Sequence, residues 1–128
     1  MPMGNALGKF SLKSTSINYS PTGGGTEIID MNMEGTMEGP DGAATVLGTL
    51  TGEPNEDASG GNYNWIGREF AADGSTRVAT GSGFFRATGA GKWALRGTIS
   101  FSDGANAAVE GDLDLASRTL SGTACEWD

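Results

Sequence analysis

The sequence predicts an all-β protein: a meander of about eight antiparallel strands closed into a small barrel, with a β-sandwich as the alternative. Three observations carry this. Apolar residues alternate at period two and no stretch repeats at i, i+3, i+4, i+7, so strands are expected and helices are not. Turn residues interrupt the alternation at intervals too short for a crossover helix, so successive strands pair antiparallel. Glycines stand inside the strands at 35, 48, 67, 81, 83, 97, 111 and 122. A sheet that must coil tightly to close uses such positions.

The runs follow in order. Lys9–Ser20 ends at the turn sequence PTGGG. In Thr26–Glu38, Ile29, Met31, Met33 and Met37 share one face, with Asp30, Asn32, Glu34 and Thr36 opposite. A turn at Asp41-Gly42 brings Val46 and Leu50 of the run Ala43–Thr51 onto the same apolar face. Gly52–Gly61, which contains EPNEDASGG, is the one real loop, read as a surface segment or lid.

Asn62–Ala71 and Ser75–Ala87 are joined by Asp73-Gly74, read as a two-residue turn. That register sets Glu69 against Val78, Trp65 against Ser82 and Tyr63 against Phe84. A turn at Gly89-Ala90 leads into Lys92–Phe101 and sets Arg86 against Trp93 and Phe84 against Leu95. A three-residue turn, Asp103-Gly104-Ala105, leads into Asn106–Leu115 and sets Ile99 against Val109. Arg118–Trp127 completes the meander. One face stays apolar across these strands, which is the condition for a strongly specified register.

Length and charge narrow the function classes. The 128 residues make one domain, 1–128, long enough to bury a core without metal or disulfide staples. The net charge of −8 leaves no basic patch for nucleic acid and disfavours an anionic membrane surface. No signal peptide and no apolar run of transmembrane length is visible, so a cytoplasmic location is the expectation. The sequence has no histidine and a single cysteine, Cys125. That removes the commonest general base and zinc sites of usual composition, and no cofactor or metal is expected.

Thr80–Gly104, "TGSGFFRATGAGKWALRGTISFSDG", carries Gly81, Ser82, Gly83, Phe85, Gly89 and Gly91 in a spacing that resembles the barrel strands of the allene oxide cyclase type. The resemblance covers about a fifth of the chain and implies the fold. It carries no catalytic residue onto this sequence. The N-terminal Gly-x-Trp pattern of the lipocalins is missing: Trp93 follows Gly91 but lies deep in the chain.

The predicted register places Tyr63, Trp65, Glu69, Thr80, Ser82, Phe84, Arg86 and Trp93 on the inner face. Tyr63, Phe84, Arg86 and Trp93 gather toward one end. An aromatic-lined mouth with one guanidinium suits a small hydrophobic ligand that is planar or carries a carboxylate. Met31 and Met33 add an adaptable lining. The plainer reading is a barrel filled by its own side chains, with Arg86 and Glu69 on a solvated rim. Three functions therefore stay open: a small-molecule carrier, a cyclase- or isomerase-like enzyme, and a filled structural protein. Ile66, Phe70 and Phe85 fall on the outer face and make homo-oligomerisation the expectation. Glu110, Asp112 and Asp114 form an outward acidic row, read as a solvated face rather than a calcium site.

Overall fold

A computed structural model describes residues 3–22, 26–40 and 42–127. Eight strands run in order: β1 (Met3–Pro21), β2 (Glu27–Gly39), β3 (Gly42–Pro54), β4 (Gly60–Ala71), β5 (Thr76–Gly89), β6 (Lys92–Phe101), β7 (Asn106–Asp114) and β8 (Thr119–Trp127). Each pairs antiparallel with the next, and β8 returns to β1 to close the barrel. The sandwich alternative is excluded by that closure. Closure also leaves no full-length free strand edge.

Inward positions form a continuous core of Leu12, Met31, Met33, Val46, Leu50, Tyr63, Leu95, Leu113 and Leu120. A second cluster of smaller residues, Ala79, Phe101, Ala107 and Ala124, lies toward the end that carries the 72–74 and 102–104 turns. Outward positions are mostly Thr, Ser, Asn and charged residues, the reverse of the alternation in a lipid-facing barrel. Among the described residues no helix is long and apolar enough to cross a membrane. Cys125 is a buried free thiol on the outward side of β8, in register with Ala6 and Ala108.

The turns differ from the sequence reading, and the size of each difference decides its consequence. Ala71 N–H donates to Ser75 O at 2.9 Å, and Gly74 N–H to Ala71 O at 3.0 Å. The β4–β5 loop is therefore three residues, 72–74, rather than the pair Asp73-Gly74. A two-residue type I′ turn needs positive φ at both central residues. Here Gly74 has φ +90°, while Asp73 is not among the positive-φ residues. Asp73 instead accepts from the Ser75 N–H and hydroxyl. The same construction recurs at 102–104, with Gly104 at φ +95° and Phe101 N–H donating to Ala105 O at 2.8 Å.

The β4–β5 register is consequently one residue away from expectation: Glu69 opposes Arg77, Trp65 opposes Gly81 and Tyr63 opposes Gly83. One residue reverses every side chain on β5. At β6–β7 the difference is two residues, with Ile99 opposite Ala107 and Leu95 opposite Gly111. At β2–β3 it is again two, with Val46 opposite Gly35 and Leu50 opposite Met31. A shift of two keeps each residue on its predicted face. Asp41 and residues 23–25, in two of the predicted turns, lie outside the described residues.

The β5–β6 turn is Ala90-Gly91, with a bulge between Ala87 and Gly89. This second odd-numbered difference restores β6 to its predicted orientation. The predicted Gly52–Gly61 loop is shorter in the structure, because Gly52, Glu53 and Pro54 extend β3 and pair with Tyr63, Asn62 and Gly61. Only residues 55–59 remain as a loop, closed by Asn55 N–H donating to Gly60 O at 2.7 Å.

Candidate functional site

The interior is organised by pairs of glycines facing each other across strands. Gly48 opposes Gly67, Gly83 opposes Gly97, and Gly111 opposes Gly122. Each pair clears a strip of inner wall, and an aromatic ring lies over it. A Cβ on Gly48 would meet the Trp65 ring at 2.5 Å, and one on Gly67 would meet it at 2.7 Å. A Cβ on Gly111 or Gly122 would meet Phe10 Cζ at 3.1 Å or 2.7 Å. A Cβ on Gly97 would meet the Tyr63 hydroxyl at 2.5 Å. Aromatic cover of strand glycines secures register and fills the coiled wall at once.

What the rings leave open is a cavity of ≈ 90 Å³ in the barrel centre. Its wall includes Val46, Leu50, Leu95, Ile99, Val109 and Leu120, with Trp65 and Phe101. Tyr63 and Glu69 line it from inward positions, and Arg68, Thr98 and Glu110 also border it.

Tyr63 is 6% exposed, and burial pushes its phenol up to about 12. Loss of water disfavours the phenolate, so the hydroxyl keeps its proton at all ordinary pH. Glu69 reaches the opposite region of the cavity, where its Oε1 accepts from Arg77 at 3.3 Å. Arg77 also donates to Asp103 Oδ2 at 3.1 Å. Its guanidinium lies 3.6 Å from the centroid of the Phe101 ring. Arg77 thus spans one end of the barrel, stacked on an aromatic wall residue and held by two carboxylates. Asp103 is held below the usual carboxylate range, first by the Ala105 N–H and then by Arg77.

The predicted site residues divide into two groups. Tyr63, Met31 and Met33 are buried in the main core. Trp65 and Trp93 are half-buried and pack against it. Glu69 points inward with its side chain 12% exposed, which corrects the placement on a solvated rim.

Phe84 and Arg86 do not face the interior. Phe84 is 72% exposed and Arg86 is exposed, both on the outer side of β5, and Thr80 and Ser82 share that side. The physical reason is the three-residue 72–74 turn. Phe84 and Arg86 instead border an open outer hollow with Arg96, which pairs with Glu110 at 3.7 Å. Phe85 makes the opposite move: read as an outer residue, it packs against the core, with its ring over Gly61. Ile66 and Phe70 are exposed as expected.

Arg77 and Phe10 were missing from the sequence reading of the site. The signal for Arg77 was present in β5. Arg77, Ala79, Gly81, Gly83 and Phe85 form the alternation of small and apolar residues that belongs inside. Glu110, Asp112 and Asp114 stand outward on β7. Among the described residues no three His, Cys, Asp or Glu side chains converge as a metal site would require.

Fold and interior together define a closed eight-stranded antiparallel barrel with an apolar central cavity. Compared with known proteins, the chain matches no family model, no curated protein and no solved structure.

Proposed function

We propose that this protein binds a compact, uncharged, largely hydrocarbon molecule inside its barrel. The observation that carries the reading is the ≈ 90 Å³ apolar cavity left between the aromatic rings. An apolar void of similar order stays dry and takes up benzene or xenon, because water finds too few partners there. The cavity size also revises the ligand class. Pockets for drug-sized molecules occupy about 300–1,000 Å³, so a long-chain or polycyclic metabolite does not fit without rearrangement.

Charge argues in the same direction. A carboxylate ligand needs a cation to offset its desolvation. Arg86 lies outside, and Arg77 already holds Glu69 and Asp103. The glycine spacing of Thr80–Gly104 supports a likeness to barrels of the allene oxide cyclase type. Membership of that group belongs to this proposal.

A filled structural barrel is the second reading, favoured by the small size of the void. Xenon separates the two. Under xenon pressure the parent is expected to show one internal site, by xenon-129 exchange or by density in a crystal. Ala124→Leu, which adds bulk to a lining residue that is 3% exposed, is expected to abolish it. A parent that excludes xenon leaves the filled barrel standing.

A further inference from the structure

We infer that the cavity selects a molecule carrying one hydrogen-bond acceptor, a small ketone, aldehyde or cyclic ether, which the Tyr63 hydroxyl holds by donating to it. This rests on the reading that the interior takes up a ligand. The geometry adds the chemical class.

Tyr63 comes from the start of β4, and its side chain crosses the inner wall past Gly83, so that the hydroxyl stands over Gly97 on β6. A Cβ on Gly97 would meet the Ser82 carbonyl, the Tyr63 hydroxyl and the Gly83 Cα. Among the described residues the hydroxyl makes no hydrogen bond. Yet no buried side-chain oxygen or nitrogen among them is sealed off without a partner. The hydroxyl therefore borders open space, and Tyr63 is a lining residue of the central cavity.

A donor that faces an apolar cavity finds few partners there, so the site favours an occupant that completes it. A phenol is a better donor than acceptor, and desolvation keeps this one protonated. The occupant must therefore accept. It must also be neutral, because the Arg77 guanidinium is held by two carboxylates and the exposed Arg68 donates to Thr76. An engineered cavity of about 150 Å³ holds benzene, so a void of ≈ 90 Å³ sets the scale at roughly four non-hydrogen atoms.

The test compares two molecules of the same shape, acetone and 2-methylpropene, by NMR titration of the parent and of Tyr63→Phe. The parent is expected to bind the ketone about fivefold more tightly than the alkene, the worth of one buried hydrogen bond. Its carbonyl infrared band is expected to shift to lower frequency on binding. Tyr63→Phe, which removes only an unbonded hydroxyl, is expected to keep the fold, lose the preference and lose the band shift. Equal affinities in the parent, or a preference that survives in Tyr63→Phe, overturn the inference. If xenon still enters in that case, binding in the barrel stands and only the ligand class fails. If xenon and both probes are excluded, both readings fall.

Discussion

The Tyr63 hydroxyl stands over Gly97, two strands away, with Gly83 between them in register. A Cβ on Gly97 would lie 2.5 Å from the phenolic oxygen and would also run into the Ser82 carbonyl. The absent side chain at Gly97 is thus part of the seat for Tyr63. Gly97→Ala is expected to cost about 1–3 kcal/mol, the usual penalty of overpacking. Tyr63→Phe in the same chain recovers only part of it, because the Ser82 carbonyl cannot move aside. Urea unfolding measures both. A Gly97→Ala protein as stable as the parent would show that the wall gives way freely.

Tyr63 also sets an alkaline limit. Its folded pKa of about 12 lies above the ordinary value of 10.0. The stability linked to its proton is fully present below pH 10 and is lost as pH rises from about 10 through 12. Two pK units correspond to about 3 kcal/mol at most. In a Tyr19→Phe background, tyrosinate absorbance reports Tyr63 alone and is expected to rise near pH 12 or with unfolding. Tyr63→Phe is expected to flatten the stability profile across that window.

On the acid side the turns respond. Asp73 is held below the ordinary value first by the Ser75 hydroxyl and then by its N–H; for Asp57 the Ser59 N–H comes first. Stability linked to these carboxylates is present above the ordinary value and is lost as pH falls through their depressed values. Unfolding curves measured downward from pH 5 are expected to show a smaller acid loss for Asp73→Asn than for the parent.

Trp65 covers the Gly48–Gly67 pair with its ring. Trp65→Ala is expected to cost about 3–5 kcal/mol, the range for removing a large aromatic from a core. If the variant folds, its enlarged cavity is expected to admit probes the parent excludes, detectable by a thermal shift with benzene derivatives. A loss under 1 kcal/mol would mean the ring contributes little to the wall.

The two arginines of β5 are expected to behave oppositely. Arg77→Ala removes a cation stacked on Phe101 and leaves Glu69 without its partner. A cost of about 1–2 kcal/mol is expected, at the modest end because the guanidinium is a third exposed. Arg86→Ala, on the outer surface, is expected to stay within about 0.5 kcal/mol of the parent. Chemical denaturation of the two variants distinguishes them, and equal effects would contradict the β5 register described above.

Much of the architecture was legible in the residues themselves. Alternation in Ile29, Met31 and Met33, or in Trp93, Leu95 and Ile99, specifies a strand and its buried face, because side chains change sides at every residue. Short turn sequences impose antiparallel neighbours. Glycines inside strands pointed to closure, since a tightly coiled wall has no room for a Cβ where an aromatic ring crosses it. These are local properties, carried by each segment alone.

The site depended on a quantity that no segment carries: the parity of a turn. Asp73-Gly74 is compatible with a two-residue and a three-residue loop, and the two place β5 on opposite faces. In the strand itself, Phe84 and Phe85 stand side by side, and either suits a core. Tertiary packing decides between them. With Gly81 and Gly83 inward, Trp65 and Tyr63 have room beside β5, Phe85 closes over Gly61, and Arg77 meets Glu69. With the other parity, Thr80, Ser82 and Arg86 would occupy that space. By itself, then, the sequence determined the strands, their order and the apolar side of β2, β3, β4, β6 and β7. The three-dimensional structure alone decided which arginine enters the barrel, which phenylalanine leaves it, and how much space remains under Tyr63. Those outcomes rest on volumes shared among β3, β4, β5 and β6, and shared volume exists only once the sheet has closed.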